Sequence, residues 1–365
     1  MKKSLLILSF IFVALSAFAQ LKDGYYRVTN VGDGRYIYLT DNTGSVSVGT
    51  LSADMKAVHL IKGQDKTISN PQTVLYISHV SGNQYNIAAQ GTSVKDIIGY
   101  AVNVRYEERA QAYRVYAEAH GATLYLGSNA NNYYKTEEIS YLSTGESGNQ
   151  TLWKLEPIDS EGDNYFGITP SVEADGKYYQ SFYASFPFSF KSKGMKAYYV
   201  KDDNGEPKLV EIKDKVIAAK TPVIIECSSK NPSDNRLEIL TTGGNAISDN
   251  MLRGVMFCNT ARVKSKDAVT KNDKETMRVL GVENGKLTFT VSQDENLPAN
   301  QAYLLVSAGN DIPFVFEDDQ ESKEASLETI NGVYSILGIK LRDDDDISDL
   351  AAGIYIVNGK KIIKR

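Results

Sequence analysis

Adjacent amide and tyrosine side chains in one short segment are the best candidates for ligand binding in this chain. The segment lies between two predicted strands and contains Asn131, Asn132, Tyr133 and Tyr134. Amides form hydrogen bonds with sugar hydroxyls, and a tyrosine ring offers a face on which a sugar can stack. These residues are candidates for a glycan-binding loop, and the alternative, which the pattern favours, is a plain long hairpin loop.

Two further tyrosines, Tyr178 and Tyr183, belong to an aromatic-rich segment that spans 178–188. Alternation along a strand places Phe182 and the phenylalanines that follow it on one face, where they are expected in the core. We predict that Tyr178 and Tyr183 line a second sugar platform, with core packing as the alternative.

No catalytic constellation stands out among the residues. His59, His79 and His120 lack the paired spacing of metal ligands, and the chain contains no serine-hydrolase, zinc-protease or phosphate-loop motif. We therefore expect no catalytic residue, metal site or cofactor. Glycoside hydrolysis by an unidentified carboxylate pair stays open, because 45 acidic residues supply many pairs.

The two cysteines, Cys227 and Cys258, follow predicted strands and have no sequence context of a catalytic nucleophile. In an oxidising compartment they can pair across the intervening loop, which would stabilise the fold by about 3 to 4 kcal/mol. Two buried thiols are the alternative.

The N-terminus has the features of a secretory signal peptide. Lys2 and Lys3 precede an apolar run, and Ala17-Phe18-Ala19 provides a small-x-small cleavage pattern, so we expect residues 1–19 to be removed before Gln20. No cysteine near this point supports a lipoprotein. The mature chain then has 38 basic and 45 acidic residues, a charge of −7, which disfavours nucleic acid as a partner. No other apolar stretch is long enough for a transmembrane segment.

Short segments rich in Tyr, Val, Ile and Leu, separated by turn residues, predict an all-β protein. In the first unit, residues 20–159, three similar phrases begin at Tyr25, Gln84 and Tyr113. Each phrase predicts a hairpin, and three such repeats can close a small barrel.

The phrase from Asp23 to Gly32 and the closing Leu152-Trp153-Lys154-Leu155 resemble the ricin-type β-trefoil, a fold used by many sugar-binding modules. The resemblance implies a β-trefoil-like barrel over about a third of the chain. It departs from the family at Thr151, where the Gln-x-Trp pattern has glutamine. We expect Trp153 to pack in the core rather than bind sugar.

The second unit, residues 160–310, contains a duplication. The copies, 195–225 and 277–305, each have a strand, an Asn-Gly turn, a second strand and an apolar third strand. Asn-Gly at 204–205 and 284–285 predicts type I′ hairpins. We predict a β-sandwich with internally duplicated halves. The unit resembles a β-rich module common in secreted proteins of Gram-negative anaerobes.

A charged linker is predicted over 311–331, followed by a short β-hairpin segment over 332–365. The Gly-Ile-Tyr phrase at 353–355 and the basic last strand are similar to the C-terminal sorting domain of the type IX secretion system. That resemblance implies the secretion machinery as a partner. It also implies a location outside the cell or on the outer membrane of a Gram-negative bacterium. The aspartates 343–346 are read as a solvated turn.

These features favour a secreted or surface-exposed, non-enzymatic binding protein whose partner is a glycan or another extracellular polymer. A structural or protein-binding adhesin without sugar binding is the alternative, supported by the missing Gln-x-Trp pattern. A glycoside hydrolase with unidentified carboxylates is the third hypothesis.

Overall fold

The protein is all-β, as predicted, in a computed structural model. The structure describes residues 21–39, 46–47, 54–55, 58–128, 140–146, 148–203, 206–258, 269–307, 312–313, 332–335, 340–357 and 360–364. Within these residues, strands dominate, and the single α-helix is a short one, α1 (Val94–Ile98). Ser93 caps its start by accepting a hydrogen bond from the Asp96 amide.

The first unit contains thirteen described strands. They are β1 (Gly24–Asn30), β2 (Arg35–Tyr38), β3 (Val46–Ser47), β4 (Asp54–Met55), β5 (His59–Lys62), β6 (Leu75–Ser81), β7 (Gln84–Ala89), β8 (Thr92–Ser93), β9 (Asn103–Glu107), β10 (Ala112–Ala119), β11 (Ala122–Ser128), β12 (Ser140–Ser143) and β13 (Leu152–Pro157). Three 3₁₀ turns join them, at Gln64–Lys66, Pro71–Thr73 and Gly148–Thr151.

Six of these strands form a closed ring of antiparallel pairs. The order is β1, β6, β7, β9, β10 and β13, and β13 pairs with both β10 and β1. One core cluster takes buried side chains from every strand of the ring. Trp153 is fully buried in it and donates its indole N–H to the Leu126 carbonyl at 2.9 Å. The expectation that Trp153 is a core residue is confirmed.

The three predicted repeats begin at β1, β7 and β10. Each of these strands is the first of two consecutive strands in the ring. β1 pairs with β2 through Thr29 and Tyr36, and β10 pairs with β11 through Tyr116 and Tyr125. The middle repeat is shorter, because β7 is followed by the two-residue β8 and by α1. Each repeat therefore contributes two ring strands and an insertion between them.

The second unit contains fourteen described strands. They are β14 (Phe166–Gly167), β15 (Val172–Ala174), β16 (Lys177–Phe182), β17 (Phe188–Phe190), β18 (Lys196–Asp203), β19 (Glu206–Glu211), β20 (Val216–Ile217), β21 (Val223–Cys227), β22 (Arg236–Ile239), β23 (Leu252–Val255), β24 (Met277–Glu283), β25 (Lys286–Thr290), β26 (Gln301–Leu305) and β27 (Ile312–Pro313). A 3₁₀ turn lies at Pro232–Asp234.

These strands form three sheets that share two cores. The four-stranded sheet β14-β22-β17-β20 and the middle sheet β15-β16-β21-β18-β19 contribute to one cluster. The other face of the middle sheet and the outer sheet β23-β26-β24-β25-β27 contribute to a second cluster. Strand β21 is buried at every position because both faces of its sheet are covered.

The predicted duplication appears as the same pairing order in two sheets. The order β16-β21-β18-β19 in the middle sheet corresponds to β23-β26-β24-β25 in the outer sheet. The repeat therefore also includes β16 and β23, which precede the two predicted copies. Asn284 and Gly285 both have positive φ, 51° and 81°, as a type I′ turn requires. Asn204 and Gly205 lie outside the described residues. Strand β26 differs from β21, since Leu305 is exposed and only alternate residues are buried.

The C-terminal segment forms a separate four-stranded antiparallel sheet. Its strands are β28 (Val333–Ser335), β29 (Lys340–Arg342), β30 (Gly353–Val357) and β31 (Lys360–Lys364), in the order β29-β28-β30-β31. The aspartates at 343–346 are all exposed, in the connection between β29 and β30. The outer sheet of the second unit extends to β27, which begins inside the predicted linker.

Candidate functional site

The predicted glycan-binding loop lies outside the described residues, as do its four candidates, Asn131, Asn132, Tyr133 and Tyr134. The strands on either side of the loop, β11 and β12, pair with Ser128 opposite Ser140. The role of the loop stays a prediction.

Tyr178 and Tyr183 face different sheets. Tyr178 packs beside the cluster shared with the four-stranded sheet, and the Lys230 ammonium lies 5.2 Å from the centre of its ring. The Tyr183 ring instead covers Gly254 of the outer sheet, where a Cβ atom would lie 2.3 Å from Tyr183 Cδ2. Tyr178 lies in β16, and Tyr183 directly follows its last residue, Phe182. The two tyrosines therefore do not form one platform.

Cys227 and Cys258 are not joined by a disulfide. Cys227 is buried at the end of β21 in the middle sheet, whereas Cys258 follows β23 in the outer sheet. Burial, with a smaller contribution from Glu226, raises the pKa of the Cys227 thiol to about 12. Cys227 is therefore a neutral core thiol and not an activated nucleophile.

The three histidines lie in separate environments. His59 is buried, while His79 Nε2 lies 3.0 Å from the Gly82 carbonyl oxygen and His120 Nε2 lies 3.1 Å from the Tyr100 hydroxyl. Across the part of the chain that the structure describes, no three His, Cys, Asp or Glu residues are grouped as ligands for one metal ion.

A cleft of about 250 Å³ lies where the first unit meets the second. We call it the junction cleft. Its described lining residues are Ser69, Asn70, Pro71, Gln72, Ile168, Thr169, Gln180, Phe182, Ala299, Asn300 and Gln301. None of these residues is charged, although charged residues form 23% of the chain. Pockets for drug-sized ligands occupy roughly 300 to 1,000 Å³, so this volume suits a fragment such as one sugar ring.

The first-unit wall of the junction cleft is a capped 3₁₀ turn. Asn70 accepts a hydrogen bond from the Gln72 amide at 3.0 Å, and Pro71 occupies the first position of the turn. The Ser69 and Thr169 hydroxyls lie 2.7 Å apart and connect the two units. The turn thus places the Ser69 hydroxyl against the second unit.

The opposite wall is supported by a buried amide pair. Asn300 Nδ2 donates to Gln90 Oε1 at 3.2 Å and to the Tyr183 carbonyl at 3.0 Å, and Gln90 Nε2 donates to the Pro71 carbonyl at 3.0 Å. Asn300 has φ 59°, a conformation that asparagine adopts more readily than most residues. These bonds fix the position of Asn300 relative to the first unit.

Gln180 provides the chemically most distinctive atom of the junction cleft. Its Oε1 is buried and has no hydrogen-bond partner among the described residues, while its Nε2 donates to the Ser181 carbonyl at 2.9 Å. A buried acceptor without a donor costs free energy comparable to a lost hydrogen bond. Because this oxygen has almost no accessible surface, a hydroxyl group in the cleft could satisfy it only after a small rotation of the Gln180 side chain.

The polar residues of this cleft were not among the sequence-based candidates. Gln180 lies in the aromatic segment, and Asn300 lies in the second duplicated copy. Both segments were interpreted mainly as parts of the fold. A polar residue between aromatic residues of a core strand is the one sequence signal that could have identified Gln180. Nothing in the sequence relates Ser69 to Thr169.

No described helix has the length and apolar character needed to cross a membrane. Comparisons of the chain with protein-family models, with curated proteins and with solved structures found no match.

Proposed function

We propose that the protein is a secreted or surface-exposed binding protein that takes a neutral sugar unit of an extracellular glycan into the junction cleft. The buried, unpartnered Gln180 Oε1 in an uncharged lining carries this proposal. After a small rotation of the Gln180 side chain, a sugar hydroxyl can donate to that oxygen and accept from a neighbouring hydroxyl or amide.

The lining favours a neutral ligand over an ionic one. A charged group in a cleft without a counter-charge loses hydration that amides and hydroxyls replace only in part. Ala299, a partly exposed lining residue, adds an apolar surface beside the polar groups, and sugars present both kinds of surface. Hydrolysis requires a pair of carboxylates, and none of the described lining residues supplies one.

The architecture supports a sugar-binding ancestry for the first unit. A closed ring of six strands with three insertions is compatible with a β-trefoil, the fold that we propose for residues 20–159. The signal-like segment 1–19 and the sorting-like sheet over 332–365 support export to the surface of a Gram-negative cell, with the secretion machinery as a partner.

A structural or protein-binding adhesin without sugar binding is the second candidate. The burial of Trp153 favours it, because a fully buried indole offers no stacking face to a sugar. In that case the junction cleft would contain only ordered water at Gln180.

A glycan array probed with the mature chain tests the proposal. We expect binding to neutral oligosaccharides that Gln180→Met reduces and that Gln293→Met, a change at an exposed glutamine, leaves intact. Binding that Gln180→Met does not alter would contradict the junction cleft as the site. The absence of binding to any neutral glycan would favour the adhesin.

A further inference from the structure

A second cleft, of about 340 Å³, surrounds Tyr183 between the middle and outer sheets of the second unit. We call it the Tyr183 cleft. Lys220 and Arg253 both line it, and neither Asp nor Glu occurs among its described lining residues. In a chain with more acidic than basic residues, this is a local reversal of charge.

The two cations are not neutralised within the described part of the chain. None of the ion pairs there involves Lys220 or Arg253. The acidic residue closest to Arg253 along the chain, Asp249, pairs with Lys201 at 3.6 Å. Lys220 and Arg253 are both exposed, so their hydrogen-bond donors are accessible to a ligand.

The backbone of Lys220 gives an independent reason to regard it as functional. Lys220 has φ 58°, and the corresponding residue of the other duplicated half, Asn300, has φ 59°. Their amides donate to equivalent carbonyls, those of Ala184 at 2.8 Å and Val255 at 2.7 Å. Asparagine tolerates this left-handed conformation better than lysine does. Lysine is thus less favourable than asparagine for the backbone conformation of this turn, but it brings a positive charge to the cleft.

Hydrogen bonds and close packing hold other parts of the cleft in place. Asn250 donates to the Pro222 carbonyl at 2.8 Å and accepts from the Leu252 amide at 3.0 Å. The ring of Tyr183 occupies the space over Gly254 that any larger residue would need. A hydrogen-bonded cleft lined by two cations resembles the preorganised sites that recognise oxyanions.

We propose that the Tyr183 cleft binds an oxyanion, the carboxylate or sulfate group of an acidic sugar in an extracellular polymer. The Arg253 guanidinium can form two parallel hydrogen bonds with such a group, and the Lys220 ammonium adds a point charge. The proposal does not rest on neutral-sugar binding, because the Tyr183 cleft shares no described lining residue with the junction cleft.

Calorimetric titration of the mature chain tests the proposal with three probes: trigalacturonate, a sulfated disaccharide and maltotriose. We expect one or both of the acidic sugars to bind, and maltotriose not to compete with them. Lys220→Asn and Arg253→Gln should each weaken that binding at least about tenfold. The acidic sugar that binds identifies the group as carboxylate or sulfate.

Two controls separate this role from folding and from net charge. Lys220→Asn copies the other duplicated half, so its melting temperature should equal or exceed that of the parent. Lys193→Asn removes an exposed charge outside the cleft and should leave affinity unchanged. The proposal is overturned if neither acidic sugar binds, if Lys220→Asn binds like the parent, or if Lys193→Asn weakens binding equally.

Discussion

A buried histidine is the clearest titratable feature of the first unit. His59 is 3% exposed, and its ring centre lies 5.3 Å from that of Tyr38. Burial lowers the pKa of His59 to about 4. In the unfolded chain the same group titrates near 6.5, so below that pH the unfolded state binds a proton that the folded state excludes.

Stability should therefore decrease as the pH falls from about 6.5 to about 4. The shift corresponds to a loss of about 3 kcal/mol over this window. Urea denaturation at pH 7.0 and pH 4.5 measures it, with His59→Gln as the variant that should flatten the dependence. An unchanged pH dependence in that variant would show that other groups are responsible.

Trp153 is a second residue whose environment predicts a measurable effect. Trp153→Phe removes the donor to the Leu126 carbonyl and leaves a cavity in a fully buried site. We expect the free energy of unfolding to fall by about 2 to 4 kcal/mol, as measured by circular dichroism in denaturant. Tyr106→Phe, at a partly exposed ring, should change it by less than about 0.5 kcal/mol.

At the scale of elements, the turn between β24 and β25 depends on Gly285. Its φ is 81°, and an added Cβ would meet no atom within 4 Å, so only backbone strain opposes a side chain. Gly285→Ala should lower stability by about 1 kcal/mol. Gly24→Ala is the matched control, because its Cβ would make an ordinary contact at 3.6 Å without a positive φ. Equal melting temperatures for the two variants would contradict this account.

Hairpins and strands were predictable because their signals are local. Asn284-Gly285 contains its own turn preference, and the spacing of strands in the first unit predicted its repeats. The stacking of three sheets was not predictable in the same way. Residues of β16 and β23 contact one core although about seventy positions separate them, and alternation alone does not say which sheet covers a face.

At the scale of the whole molecule, Arg27 connects the two units. It is 2% exposed, donates to Asn164 Oδ1 at 2.8 Å and to the Tyr165 carbonyl at 2.7 Å, and reaches the carbonyls of Thr67 and Ile68 at 3.2 Å. Burial lowers its pKa to about 10, so the guanidinium stays charged at neutral pH. Neutral oxygens from both units thus compensate one buried cation.

Arg27→Met should destabilise the protein by about 2 to 4 kcal/mol, because it leaves those oxygens without a donor. It should also separate the unfolding of the first unit, reported by fluorescence of the single Trp, from the loss of total strand signal in circular dichroism. Arg105→Met, at an exposed ion pair with Glu107 and Glu146, should cost less than about 1 kcal/mol. Coincident, unshifted transitions in Arg27→Met would refute a connecting role.

The junction cleft is formed by residues that lie far apart in the sequence, so local sequence patterns do not reveal it. Gln90 and Asn300 form one hydrogen bond across 210 positions, and Ser69 and Thr169 meet across 100. No local pattern encodes such pairs. The tyrosines that were predicted as ligands belonged to short segments, where spacing is visible but facing surfaces are not.

Calorimetric titration of a neutral oligosaccharide selected on the array is the most direct measurement of the central claim. The account predicts one sugar bound per chain and a loss of affinity of about tenfold in Gln180→Met, because the acceptor for a sugar hydroxyl is removed. Gln293→Met should bind like the parent. Equal affinity of the parent and Gln180→Met would contradict binding in the junction cleft.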